Sequence, residues 1–312
     1  DHRDLHLSIR RQRQMCIRDS LKIELYKNIT LINKNEKMVK PFIKMHGLGN
    51  DFVIIDSRNN QFLLNTKKVQ LIANRRFGIG CDQVIEMNHS TSADIFMRIF
   101  NADGSESGSC GNAARCVASL LFAASPKKTV LIETITGIIK GESLENGNVK
   151  IDMGEPKFNW KDIPLKINKS KIDFPEFSLE NGIVVNMGNP HIVFFRDNLN
   201  QIDMESAGPK IENNCLFPEK INVEVCQILN KNKIRIKVWE RGAGLTLACG
   251  TGACAALVAA CKSNLAESTA EIVLDGGSLE ICWNNSSDNH VIMSGSVSVS
   301  FLGEFSSLGE IK

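Results

Sequence analysis

The sequence has few of the features that mark membrane, nucleic-acid-binding or zinc proteins. No apolar run approaches the ~20 residues that cross a bilayer. The 37 basic residues nearly balance 35 acidic ones, and no basic block is interleaved with aromatics. The ten cysteines include no C-x-x-C pair, which disfavours paired zinc knuckles. We therefore predict no membrane, nucleic-acid or metal partner, and a reducing compartment.

A complete dinucleotide-binding loop is also missing. Gly47-Leu48-Gly49 and Gly78-Ile79-Gly80 each begin like the G-x-G-x-x-G motif, but neither completes it and neither opens a helix after a strand. We predict that neither turn binds a dinucleotide cofactor.

What the sequence does contain is a glycine-rich turn around Cys249. Residues 234–239 alternate apolar and basic side chains, which predicts a strand, and residues 253–261 are small or apolar, which predicts a buried helix. The turn therefore places Cys249 in the first turn of that helix, where free N–H groups and the helix dipole favour a thiolate. The N–H groups beside Gly250 and Gly252 can also hold a substrate carboxylate.

The same arrangement occurs earlier in the chain, at Cys110. The two cysteines are 249 − 110 = 139 residues apart. Three further pairs keep this offset: Asn50 with Asn189, Gln83 with Asn222, and Asn101 with Glu240. Such self-similarity predicts an internal duplication. We predict an α+β fold of two pseudo-symmetric domains, each a mostly antiparallel sheet wrapped around a central helix, with the active site in the cleft between them.

The length of the chain also favours two domains. We place the halves at residues 38–155 and 156–305, with the polar, proline-containing residues 156–177 as their connection. The last strand of the second half is a candidate to pack on the first half. Residues 1–37 are predicted to be a disordered or non-native extension before Met38, and residues 306–312 a tail.

Two opposed thiols suit the inversion of a carbon centre. A base removes a proton from one face of the carbon, and an acid returns a proton to the opposite face. Two thiolates close together would repel, so we expect the pair to carry one negative charge and to titrate as a unit.

Several motifs together resemble the diaminopimelate epimerase family. They extend from about residue 38 to residue 305, and their combination is specific. The motifs are Met45-His46-Gly47-Leu48-Gly49-Asn50-Asp51-Phe52, Asn101-Ala102-Asp103-Gly104-Ser105, Cys110-Gly111-Asn112, Met187-Gly188-Asn189-Pro190-His191, Glu240-Arg241 and Cys249-Gly250-Thr251-Gly252.

The resemblance implies a cofactor-independent interconversion of LL- and meso-diaminopimelate in lysine and peptidoglycan-precursor biosynthesis, by a cytoplasmic homodimer. It implies that Cys110 and Cys249 are the acid and base, and that His191 and Glu240 lie beside them and help to position or ionise them. The implied carboxylate-binding residues are Gly111, Asn112, Gly250 and Thr251. The remaining implied substrate-binding residues are Asn50, Gln83, Asn101, Asn189, Asn222, Glu240 and Arg241.

Two alternatives to this reading stay open. A different two-thiol racemase would act on proline, hydroxyproline or a basic amino acid, although a small cyclic substrate needs no second amino-acid pocket. In the other alternative, Cys110 and Cys249 form a regulatory disulfide.

One residue departs from the family pattern, since Ala113 stands where glycine is usual. We expect activity to survive, with strain only if that position needs φ > 0.

Overall fold

The computed structural model describes residues 40–59, 62–169 and 171–305. The predictions for residues 1–37 and for the tail at 306–312 lie outside these ranges. Within them, no helix is long and apolar enough to cross a membrane.

The first half is a sheet-rich unit built around one long helix. It begins with β1 (Lys40–Gly47), β2 (Asn50–Asp56), helix α1 (Thr66–Ala73), β3 (Gln83–Asn88), β4 (Ile95–Asn101) and β5 (Glu106–Ser107). It continues with helix α2 (Gly111–Ala124), β6 (Thr129–Thr134), β7 (Gly137–Ser143) and β8 (Val149–Asp152).

The second half repeats this order of elements. It begins with β9 (Lys171–Phe174), β10 (Leu179–Asn186), β11 (Pro190–Phe195), helix α3 (Met204–Glu212), β12 (Asn222–Asn230), β13 (Lys233–Glu240) and β14 (Gly244–Thr246). It continues with helix α4 (Gly250–Lys262), β15 (Thr269–Leu274), β16 (Gly277–Trp283), β17 (Val291–Gly295) and β18 (Ser298–Phe305).

Strand pairing repeats between the halves in the same way. In the first half β2 and β3 are parallel, as are β4 and β6; their equivalents, β11 with β12 and β13 with β15, are parallel too. All other neighbouring strands are antiparallel, so each sheet is of the mostly antiparallel type. The predicted α+β fold of two pseudo-symmetric, duplicated domains is confirmed.

Two strand pairs join the halves into one sheet. Strand β18, at the end of the second half, pairs antiparallel with β1, and β8 pairs antiparallel with β17. β18 thus has the place beside β1 that β9 has beside β10. The first half is therefore completed by the last described strand of the chain.

The main hydrophobic core surrounds the two long helices. Apolar residues of α2 and α4 share one cluster with strands from both halves, and each half has a smaller cluster of its own. Because Ala predominates in both helices, the surrounding strands approach them closely. The beginnings of these two buried helices carry the candidate site.

Two sequence predictions differ from the structure. The sequence of residues 67–76, followed by Gly78, predicts a helix over that range. In the structure α1 ends at Ala73, because Asn74 adopts an extended conformation and its side chain accepts hydrogen bonds from the N–H groups of Arg76 and Phe77. Residues 156–177 were expected to be only a connection, but Lys171–Phe174 forms β9, whose Ile172 and Phe174 are buried.

Candidate active site

A cysteine occupies the N-cap position of each buried helix. Cys110 precedes α2 and Cys249 precedes α4, both in extended conformation. The Cys249 sulfur accepts a hydrogen bond from the N–H of Gly252 at 3.3 Å and lies 3.5 Å from the Thr251 hydroxyl. Both cysteines are free thiols.

Asn112 links the two helix beginnings. Its Nδ2 donates to Asn50 Oδ1 at 3.0 Å and contacts the carbonyl oxygen of Ala248, which precedes Cys249, at 3.5 Å. The Cys110 thiol also points toward Asn50 Oδ1, at 3.9 Å. Asn112 belongs to the first half and Ala248 to the second, so the two cysteine-capped ends meet at the boundary between the halves.

Met293 packs against both helix beginnings. A methyl group on Gly111 would lie 2.7 Å from Met293 Cε, and one on Gly250 would lie 3.0 Å from Met293 Sδ. Glycine at these positions therefore allows the backbone of both helices to approach the same thioether. Ala113 is fully buried in α2 and does not have a positive φ, so alanine is accommodated there without the strain considered from the sequence.

The polar residues of the first half lie where neighbouring strands end. Gln83 pairs with Asn101 in the sheet, and its Nε2 donates to Asn101 Oδ1 at 2.9 Å. Asn101 Nδ2 in turn donates to the hydroxyl of Ser105 at 3.0 Å. Asn50 Nδ2 donates to the carboxylate of Asp82 at 2.9 Å. The sheet register thus brings the three predicted amides to one edge.

The equivalent residues of the second half form a tighter network. His191 is fully buried; its Nδ1 lies 2.7 Å from Glu224 Oε1 and its Nε2 lies 2.9 Å from Asn189 Oδ1. Asn222 accepts from the backbone N–H of Arg241 at 2.9 Å and donates to the carbonyl of Pro190 at 2.7 Å. Both ring nitrogens of His191 are therefore engaged by residues other than the two N-cap cysteines.

Arg241 lies at the exposed rim of the site. Its Nη1 donates to the carbonyl oxygen of Glu219, in the loop before β12, at 2.9 Å, and the residue is exposed. The guanidinium is therefore accessible to a ligand from solvent.

Glu240 is the carboxylate in direct contact with a candidate catalytic thiol. It accepts hydrogen bonds from the hydroxyl of Thr246 and from the thiol of Cys249. Burial raises the pKa of Glu240, although these hydrogen bonds oppose the shift. Its charge also acts on Cys110 and raises the pKa of that thiol, so one carboxylate influences both cysteines.

The thiols differ from expectation in their ionisation. The helix beginnings were expected to lower the thiol pKa, but burial raises the pKa of Cys110 to about 11, and burial followed by the charges of Glu240 and Glu224 raises that of Cys249 well above its ordinary value. Backbone N–H groups do lower both pKa values, yet they do not outweigh desolvation. Formation of the thiolate therefore needs a further positive group or the loss of a nearby negative charge.

Sequence reasoning missed three residues of this region: Arg115, Glu224 and Met293. Glu224 lies two residues after Asn222 on β12, so strand alternation places both on one face, and this was a usable signal. Arg115 interrupts an otherwise small and apolar run, which was also a signal. Met293 carried none, because its place between the helices depends on the packing of the two halves.

No group of three or more His, Cys, Asp or Glu side chains in the described part of the chain is arranged to hold a metal ion. The site is instead a set of two thiols, one contacting carboxylate, and amides gathered from both halves.

The class of protein is defined by this duplicated α+β fold with a central helix in each half. A phenazine biosynthesis protein of the PhzF family from Bacillus anthracis aligns with a TM-score of 0.62 at 16% identity, covering 86% of this chain and 99% of its own. A hydroxyproline epimerase from Agrobacterium vitis aligns with a TM-score of 0.61 at 12% identity, covering 86% and 92%. At these identities the likeness concerns the fold alone.

The chain belongs to the diaminopimelate epimerase family. The sequence model of that family matches it twice, over residues 42–159 and 183–300. A diaminopimelate epimerase from Rhodospirillum centenum is 47% identical over 273 residues, which cover 86% of this chain and 93% of that protein. One from Pelagibacter ubique is 46% identical over 263 residues, covering 81% and 94%. The family resemblance seen in the sequence motifs is confirmed.

Proposed function

We propose that this chain interconverts LL- and meso-diaminopimelate without a cofactor, using Cys110 and Cys249 as the acid and base. The proposal depends above all on one observation: two duplicated helices, each capped by a cysteine, begin next to each other at the boundary between the halves. Relatives that cover most of the chain at 46–47% identity carry the corresponding name.

In the proposed mechanism one thiolate removes the proton from the α-carbon, and the other thiol delivers a proton to the opposite face. The thiol that acts as the acid in one direction of the reaction acts, as thiolate, as the base in the other direction. One site therefore catalyses both directions. Glu240 contacts Cys249 and has a raised pKa, which suits it to exchange a proton with that thiol. His191 serves by holding Asn189, because its ring nitrogens are occupied.

The carboxylate next to the reacting carbon is held by the helix N-termini. The N–H groups at Gly111, Asn112, Gly250 and Thr251 supply donors, and both helix dipoles stabilise the negative charge that develops as the proton leaves. This is where electrostatic help is greatest, because the site is buried.

The distal amino-acid end of the substrate is assigned to the polar rim. Arg241 is exposed and suits a carboxylate. The remaining members of this set are Asn50, Gln83, Asn101, Asn189, Asn222 and Glu240. A second pocket of this kind favours diaminopimelate over a small cyclic amino acid. We also assign the protein to the cytoplasm, as a homodimer.

The test is proton NMR of LL-diaminopimelate in deuterated water with the purified protein. Exchange at one α-carbon and appearance of the meso form are expected. Cys110→Ala and Cys249→Ala should each reduce turnover at least ~100-fold, the usual share of an acid or base. Cys261→Ala, near the end of the helix that Cys249 precedes, is the matched control and should be active.

Two outcomes would contradict the proposal. Exchange of proline but not of diaminopimelate would reassign the substrate. Near-normal turnover in either Cys110→Ala or Cys249→Ala would exclude the two-thiol mechanism. Size-exclusion chromatography with light scattering tests the homodimer independently.

A further inference from the structure

Arg115 is a buried cation that forms no ion pair with a carboxylate of the described residues. Its side chain is fully buried in helix α2. Nη1 contacts Met293 Sδ at 3.2 Å, while Nε and Nη2 have no hydrogen-bond partner among the described residues. Burial lowers the pKa of Arg115, but a guanidinium stays charged in proteins. A charge buried without a partner costs stability.

The fold nevertheless keeps room for this guanidinium. A methyl group on Gly47 would lie 2.8 Å from Arg115 Nη2, and one on Gly295 would lie 3.5 Å from its Cζ. The two glycines come from β1 and β17, one strand from each half. The space for Arg115 is therefore built by both halves together.

The guanidinium lies directly behind the two cysteine-capped helix beginnings. Met293, which Nη1 contacts, packs against both Gly111 and Gly250. The methyl group on Gly47 that would meet the guanidinium would also lie 3.4 Å from Asn112 Cβ, so Arg115 and Asn112 border the same space. One thioether thus separates Arg115 from the place where both helices offer their free N–H groups.

Only one half supplies this cation. The residue equivalent to Arg115 in helix α4 is Cys254, which is buried and interacts electrostatically with Arg115. Equivalent residues that face each other across a pseudo-twofold axis compete for the same space. One arginine opposite one small residue fills that space and gives the pair of helices a single positive charge.

We propose that Arg115 is a positioning residue whose charge stabilises the thiolate of Cys110. The idea rests on the proposed two-thiol mechanism, which requires one negative charge at the paired helix beginnings. The titratable groups that act on Arg115 are the thiols of Cys110, Cys116 and Cys254. Two charged groups act on Cys110: Glu240 opposes ionisation of its thiol, and Arg115 favours it. Arg115 is thus the cation available to offset Glu240.

The experiment compares Arg115→Met, which removes the charge and keeps an apolar chain, with Arg115→Lys, which keeps the charge. Alkylation of Cys110 by iodoacetamide is followed by peptide mass spectrometry between pH 7 and 9. In this range the rate is proportional to the thiolate fraction, and exposed Cys215 in the same sample is the internal reference. Thermal unfolding is measured in parallel.

Arg115→Met should slow Cys110 alkylation about tenfold, equivalent to a rise of about one pKa unit, without lowering Tm. Arg115→Lys should restore most of the rate. A matched control is Lys44→Met, which removes a buried cation that does have a partner: Lys44 Nζ lies 2.6 Å from Asp51 Oδ2, so that variant should lower Tm.

Unchanged alkylation of Cys110 in Arg115→Met would overturn the inference, and a large loss of Tm with unchanged alkylation would show that Arg115 serves packing alone. The proposed function is tested separately. A wild-type protein that fails to epimerise diaminopimelate, yet shows the slower alkylation in Arg115→Met, would refute the function and leave the role of Arg115 intact.

Discussion

Gly252 offers a sharp test of how closely the thiol of Cys249 is confined. A methyl group at this position would lie 2.8 Å from Glu224 Oε1 and 3.3 Å from Cys249 Sγ. Normal contact needs about 3.5 Å, so the carboxylate or the sulfur must move by several tenths of an ångström. Both side chains are buried, which restricts that movement. Gly252→Ala should therefore displace the thiol.

Two effects on stability oppose each other in this variant. Alanine favours a helix over glycine by about 0.8–1.0 kcal/mol, whereas overpacking costs about 1–3 kcal/mol. We expect a net loss of about 0–2 kcal/mol, so the protein should stay folded. Catalysis should suffer more, because misplacement of a reacting group by 1 Å can cost about 100-fold.

Steady-state kinetics in both reaction directions and thermal unfolding measure these quantities. The expected result is a fall in kcat of about 10- to 100-fold with a small change in Tm. In a double-mutant cycle, Gly252→Ala should cost less stability in a Glu224→Ala background than in the wild-type protein if the clash is with that carboxylate. Wild-type kcat in Gly252→Ala would refute the confinement of the thiol.

Three further predictions follow from the site. Glu224→Gln should lower kcat about tenfold in a folded protein, because His191 loses a charged hydrogen-bond partner worth about 1.5–3 kcal/mol; unchanged kinetics would make the pair purely structural. Diamide should inactivate the substrate-free enzyme by linking Cys110 to Cys249, and substrate should protect it; peptide mapping that finds both thiols unlinked after inactivation would count against their opposition. The free energy of unfolding should fall as pH rises from about 9 toward 11. Burial raises the folded-state pKa of Cys110 to about 11 and that of Cys254 to about 12, so the folded chain retains protons that the unfolded chain releases. Urea titrations at pH 8 and 10.5 should show a smaller fall in Cys254→Ala than in the wild-type protein.

Local sequence rules predicted much of this architecture. Alternating apolar and basic residues located strand β13, and a constant offset between polar sites revealed the duplication. The end of α1 was misplaced because Asn74 leaves the helical conformation, and the residue after it, Arg75, is held by ion pairs with Asp51 and Asp82 that are made across the fold. Strand β9 was missed because the polar, proline-containing stretch around it hid the alternation of Ile172 and Phe174.

The same limit applies to the site. Cys110 and Cys249 were recognisable because the glycines beside each of them indicate the beginning of a helix. Their raised pKa values were not predictable, because the rule that a helix N-terminus lowers a thiol pKa is local, whereas desolvation depends on everything that surrounds the sulfur. The burial of Arg115 likewise depends on Gly47 and Gly295, which are far from it in sequence.

The pairing of β18 with β1 has a consequence for synthesis on the ribosome. Residues 298–305 are the partner of β1 and are translated after every other described element. Until they emerge, β1 has an unpaired edge, and an exposed strand edge invites association with other chains. The N-terminal half therefore cannot complete its sheet until the second half has been translated as far as β18. A nascent chain stalled before residue 298 would expose that edge to aggregation or to chaperones.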